Sequence, residues 1–201
     1  MGTAWFIDGA YAYTCWRQVS QGKMLDYTRF REEIEDDAGE AVTEAYYFNS
    51  DNDPPTAAQD NFHKAIAIPA PDGPGLRVKL YWLQTKKLYW PVHLGGGPVM
   101  HSTEPDLQFE QKSQKAVDVG LAFHMMRPFS KRRWDKLYLV AGDSEFSEVV
   151  QHLVENEDVK LTIFGSRNSM SAQLGPYGRP VYFEDVVDQF ARNHTGAQVN
   201  A

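Results

Sequence analysis

Four acidic residues are placed where they could act on a phosphate ester: Asp8, Asp118, Asp143 and Glu145. Asp8 closes the apolar run Trp5–Phe6–Ile7 and precedes Gly9, while Asp143 and Glu145 lie in the turn that follows Leu137–Tyr138–Leu139–Val140–Ala141. Short apolar runs bounded by turn residues read as buried strands. Asp118 falls in the first turns of a helix expected from Gln114 to Met126. Carboxylates gathered at one sheet edge repel one another unless a cation neutralises them. Hard divalent ions such as Mg²⁺ and Mn²⁺ prefer carboxylate oxygens. An ion so held lowers the pKa of bound water and steadies a leaving oxygen, which is the chemistry of phosphodiester hydrolysis. Each acid also has a structural role open to it. Asp8 suits a turn, Asp143 or Ser144 a helix N-cap, and Asp118 the positive end of a helix dipole.

The elements that must position these acids alternate along the chain. Strands are expected at Trp5–Ile7, Val42–Phe48, Arg77–Leu83, Lys136–Ala141, Val159–Phe164 and Val181–Phe183. Helices are expected at Ala10–Val19, Asp26–Ala38, Thr56–Ile66, Gln114–Met126, from Phe146 onward, and at Glu184–Ala191. Phe146, Val149, Val150, Leu153 and Val154 follow the i, i+3, i+4 spacing of an amphipathic helix. Such alternation predicts an α/β fold with a mostly parallel sheet and helices on both faces, whose site lies outside the carboxyl ends of the strands. Residues 1–192 read as a single domain, with a hairpin or long loop inserted near 86–110, where Lys86–Leu94 and Pro98–Thr103 flank Gly95–Gly96–Gly97; residues 193–201 read as a flexible tail.

Composition narrows the classes. With 201 residues, 42% of them hydrophobic, the chain can bury one core. No apolar stretch approaches the roughly 20 residues that span a bilayer. The opening residues lack the basic start of a signal peptide, and one cysteine, Cys15, allows no internal disulfide. A cytoplasmic protein without membrane contact is expected. A net charge of −7 argues against broad charge-driven binding to nucleic acid, and leaves only a small basic rim at Lys86–Lys87, Lys112–Lys115 and Lys131–Arg133.

Three segments together resemble the NYN (LabA-like) branch of the PIN-like nucleases: Phe6–Ile7–Asp8–Gly9, Gln114–Lys115–Ala116–Val117–Asp118–Val119–Gly120–Leu121, and Ala141–Gly142–Asp143–Ser144–Glu145–Phe146. The resemblance spans roughly Ala4 to Phe190. It implies a PIN-like, Rossmannoid α/β/α sandwich and a metal-dependent ribonuclease that uses Mg²⁺ or Mn²⁺. It also implies that Asp8, Asp118, Asp143 and Glu145 form the catalytic acids, the first three holding the metal. Lys115 would meet a phosphate and Ser144 would orient an acid or a water; Tyr11, as an aromatic beside Asp8, is a candidate substrate contact on its own chemistry. The chain departs from the family pattern at Tyr11, where an Asn is common, and at His124, where a second acid often stands. Glu145 replaces an Asp on a longer arm.

Other chemistries find no support in the sequence. There is no Gly-x-Gly-x-x-Gly or Gly-Lys-Ser/Thr loop, Ala10 stands where a haloacid-dehalogenase-like phosphatase needs a second Asp, and Phe146 breaks a Gly-x-Ser-x-Gly elbow. The six histidines lack zinc spacing. Two functions therefore stand side by side. One is a ribonuclease on single-stranded or structured RNA, with Tyr11, Tyr89 and Trp90 available to stack bases. The other is a catalytically weak RNA-binding or regulatory module. A homodimer is open through the aromatic segments Tyr81–Trp82 and Leu88–Trp90.

Overall fold

The computed structural model describes residues 2–52, 54–104, 106–113, 116–127 and 133–192. The tail expected over 193–201, Lys115, and Lys131 and Arg132 of the expected basic rim lie outside them. Within the described residues the strands are β1 (Gly2–Asp8), β2 (Val42–Asp51), β3 (Arg77–Trp82), β4 (Gln84–Lys87), β5 (Glu110–Ser113), β6 (Trp134–Val140), β7 (Lys160–Gly165) and β8 (Arg179–Tyr182). The helices are α1 (Gly9–Val19), α2 (Tyr27–Ala38), α3 (Ala57–Ile66), α4 (Val117–Met125), α5 (Ser147–Glu157) and α6 (Phe183–Phe190).

Six strands form one parallel sheet in the order β3-β2-β1-β6-β7-β8. The central strands are apolar on both faces because helices cover both. Trp5, Ile7, Ala45, Tyr47, Tyr138 and Val140 point into a core shared with α1, α2, α3 and α6. Their neighbours Ala4, Phe6, Tyr46, Phe48, Leu137 and Leu139 point into a second core closed by α4 and α5. This period of two, apolar at every position, is what a sheet buried on both sides requires. The fold is an α/β sandwich with a parallel centre, as the alternation of elements predicts.

Local chemistry sets the helix ends nearest the site. Asp8 caps α1, and Asp26 caps α2 by accepting from the Thr28 and Arg29 backbone N–H groups. At α3, Thr56 and Gln59 form a reciprocal capping box. These caps start three helices at the same end of the sheet, where β1 and β2 finish.

Residues 84–113 leave the main sheet. β4 pairs antiparallel with β5, Gln84 opposite Ser113 through Lys87 opposite Glu110. Beyond that ladder the pairing breaks into the isolated bridges Tyr89–Pro98 and Met100–Gln108 and single hydrogen bonds such as Leu88 N–H to the Phe109 carbonyl at 3.1 Å. Pro91 and Pro98 have no N–H to give, which keeps a continuous ladder from forming further out. The tip of the excursion is open among the described residues: Tyr89 is 61% and Trp90 51% exposed.

Candidate functional site

The order of strands places the ends of β1 and β6 side by side, and the acids follow from that. Asp8 ends β1 and is only 9% exposed; its Oδ1 accepts the Tyr11 backbone N–H at 3.1 Å. Its carboxyl is pushed up to about 6, chiefly by burial, with the charges of Asp118 and Asp143 adding to the effect. Asp118, in the first turn of α4, is half-buried, and its pKa is raised by burial and then by Asp143. Asp143 caps the short 3-10 turn Ser144–Phe146, accepting from the Glu145 N–H at 3.0 Å and from the Ser144 hydroxyl at 3.4 Å. Asp8, Asp118 and Asp143 thus come within electrostatic reach of one another, while Ser144 and Glu145 stand exposed on the turn.

The metal site expected from these residues is overturned. Among the described residues, no group of three or more His, Cys, Asp or Glu side chains is placed to hold a metal ion. With it fall the metal-dependent ribonuclease, the enzyme assignment, and Mg²⁺ or Mn²⁺ as cofactor. The reasons lie in what the neighbouring side chains do. Asp8 and Asp143 each commit an oxygen to a backbone N–H as a cap, so their carboxylates are aimed at their own chain. His124 stands where a second acid would be, yet its Nδ1 lies 2.8 Å from the Gly120 carbonyl and its ring packs on Tyr46 and Phe48. Imidazole carries no negative charge in either protonation state, so His124 does not replace the missing acid; burial lowers its pKa.

Tyr11 completes the change. Its ring fills the space left open by two glycines: a Cβ on Gly142 or on Gly165 would lie 2.3 Å from the Tyr11 oxygen. The Ser169 hydroxyl donates to that oxygen at 3.0 Å, and burial raises the phenol's pKa well above its usual value. An aromatic wedge therefore occupies the crevice beside Asp143, where the sequence pattern of the family places a small amide.

A second feature of this edge has no counterpart in the sequence reading. A cavity of about 900 Å³ opens between α1, α3 and the end of β2, and Gly9 and Ala10, directly after Asp8, form part of its wall. Tyr27, Tyr47 and Phe62 line it as a cluster of edge-to-face rings with centroids 5.7–6.0 Å apart. His63 joins the wall, its Nδ1 3.5 Å from the buried Asp51 carboxylate. The signal in the sequence was faint. Tyr13 and Arg17 stand one helical turn apart on α1, a spacing that puts an exposed ring beside a cation.

The chain belongs to the NYN domain family, whose model matches residues 2–176. Among solved structures it is similar to a protein of unknown function from Vibrio parahaemolyticus. That match has a TM-score of 0.61 and 20% identity, over 95% of this chain and 96% of the other. At that identity the likeness speaks for the fold alone. No curated protein matches the chain. Membership of the NYN family suggests interaction with RNA in general terms, and among the described residues no helix is long and apolar enough to cross a membrane.

Proposed function

We propose that this protein is an NYN-fold RNA-binding or regulatory module with little or no nuclease activity. The observation that carries this reading is the acidic edge itself: three aspartates within electrostatic reach, the charge of Asp143 helping to raise Asp8 and Asp118, yet not placed to share a cation. An edge of uncompensated carboxylates repels a phosphate backbone. Asp8, Asp118, Asp143 and Glu145 then set the boundary of the RNA path, and Tyr11, Lys115 and Ser144 are its contacts at that boundary. The strand itself lies on the excursion 84–113, where Tyr89 and Trp90 offer exposed rings and Lys86 and Lys87 offer charge. Rings for bases and lysines for phosphates are the ordinary means of holding a single strand.

Anisotropy of a fluorescein-labelled single-stranded RNA tests this reading. The protein should bind equally in EDTA and in Mn²⁺, with the RNA intact on a gel afterwards. Replacing both Tyr89 and Trp90 by Ala should weaken binding about tenfold or more. RNA left unbound, or cut in Mn²⁺ by the wild type and not by Asp118→Asn, would end the proposal.

A homodimer is part of the same proposal. Val119 and Phe123, 72% and 71% exposed, lie one turn apart on α4 and form an uncovered apolar strip. Phe123→Glu should convert dimer to monomer in sedimentation equilibrium with folding intact; an unchanged mass would place the contact elsewhere. A cytoplasmic location is proposed from the lone buried thiol of Cys15.

A further inference from the structure

We propose that the cavity between α1, α3 and the end of β2 is a nucleotide-binding site that takes one base of an RNA strand against the ring of Tyr13, with Arg17 on the phosphate. The RNA context rests on the function proposed above; the site itself stands on its own geometry.

At about 900 Å³ the cavity lies within the roughly 300–1,000 Å³ typical of small-molecule sites. Aromatic side chains form much of its wall, beside the aliphatic Met24, Leu25 and Leu83, and an exposed ring suits a flat π-system. Its rim carries Tyr13, which is 62% exposed and so has a free face for stacking. Arg17 follows one turn later on the same helix, with no acidic partner among the described residues. The other cation of the rim, Lys23, is already held by Asp188 at 2.7 Å.

A nucleotide answers both the exposed ring and the unpaired cation: its base stacks on Tyr13 and its phosphate meets Arg17. Leu83 belongs to the same wall and leads directly into β4. A strand lying on the excursion therefore reaches the cavity without crossing the acidic edge.

Isothermal titration of the whole chain with the four nucleoside 5′-monophosphates and the matching nucleosides, up to millimolar concentration, tests the site. At least one monophosphate should bind. Tyr13→Ala should weaken both nucleotide and nucleoside about tenfold, whereas Arg17→Gln should weaken the nucleotide and leave the nucleoside unchanged. Both side chains are exposed, so folding should hold, and the thermal midpoint verifies it. The inference is overturned if no monophosphate binds, or if both variants bind nucleotide as the wild type does. Nucleotide binding with this dependence, together with no binding of labelled RNA, keeps the site and removes the RNA reading. RNA binding without any monophosphate binding does the reverse.

Discussion

Asp8→Asn should stabilise the protein at neutral pH, by up to about 3 kcal/mol, and should do little at pH 4. The sign follows from the direction of the shift. In the folded chain the carboxyl titrates at about 6, against an ordinary value of 3.8. Below 3.8 both folded and unfolded states hold the proton and no penalty exists. Between 3.8 and 6 the unfolded chain releases its proton first, so stability falls as pH rises; above 6 the full penalty is present. Asn removes the buried charge and keeps an oxygen for the Tyr11 N–H, since Asn and Asp cap helices about equally well. Urea unfolding across pH 4 to 8 reads this directly: the wild type should lose clearly more stability through the window than the variant, whose remaining slope belongs to Asp118. Millimolar Mg²⁺ should leave the wild-type midpoint unmoved, because the aspartates are not placed to share the ion. A variant less stable than wild type at pH 7.5, or a wild type strongly stabilised by Mg²⁺, would show that Asp8 is neutralised by something other than a proton.

Gly9→Ala should destabilise by about 2–3 kcal/mol, the range of an overpacked core. Helix propensity alone predicts the opposite, because Ala is the better helix former by about 1 kcal/mol. The difference comes from Tyr47. A Cβ on Gly9 would lie 2.4 Å from the ring Cζ and 2.5 Å from the hydroxyl oxygen. That ring is 2% exposed and hemmed by Tyr27 and Phe62, so it has nowhere to move. The same substitution narrows the cavity from the side of α1, so nucleotide affinity should fall with stability. A loss under about 0.5 kcal/mol in urea unfolding would mean that the packing around Tyr47 yields easily.

The acids show how far the sequence could be read. Their order along the chain, each at the end of an apolar run or the start of a helix, puts Asp8, Asp118 and Asp143 toward one edge of the sheet. Whether they converge depends on where each carboxylate points, and that is set by caps and wedges. The bond from the Tyr11 N–H to Asp8 and the bond from the Glu145 N–H to Asp143 are local and could be anticipated as alternatives. The packing of His124 onto Tyr46 and Phe48 joins α4 to β2, and the lodging of Tyr11 against Gly142 and Gly165 joins α1 to the ends of β6 and β7. Such contacts between distant segments have no periodicity to betray them.

By itself the sequence determined the alternation of strands and helices, the double-sided burial of β1, β2 and β6, and membership of the NYN family. These rest on local hydrophobic period and on contiguous motifs, both properties of neighbouring residues. Only the tertiary structure decided that the acids stop short of a metal site, and that α1, α3 and β2 enclose an aromatic cavity beside them. A cavity is the space left when Tyr13, Tyr47 and Phe62, dozens of residues apart, come to rest around a common point, and no single segment carries its outline.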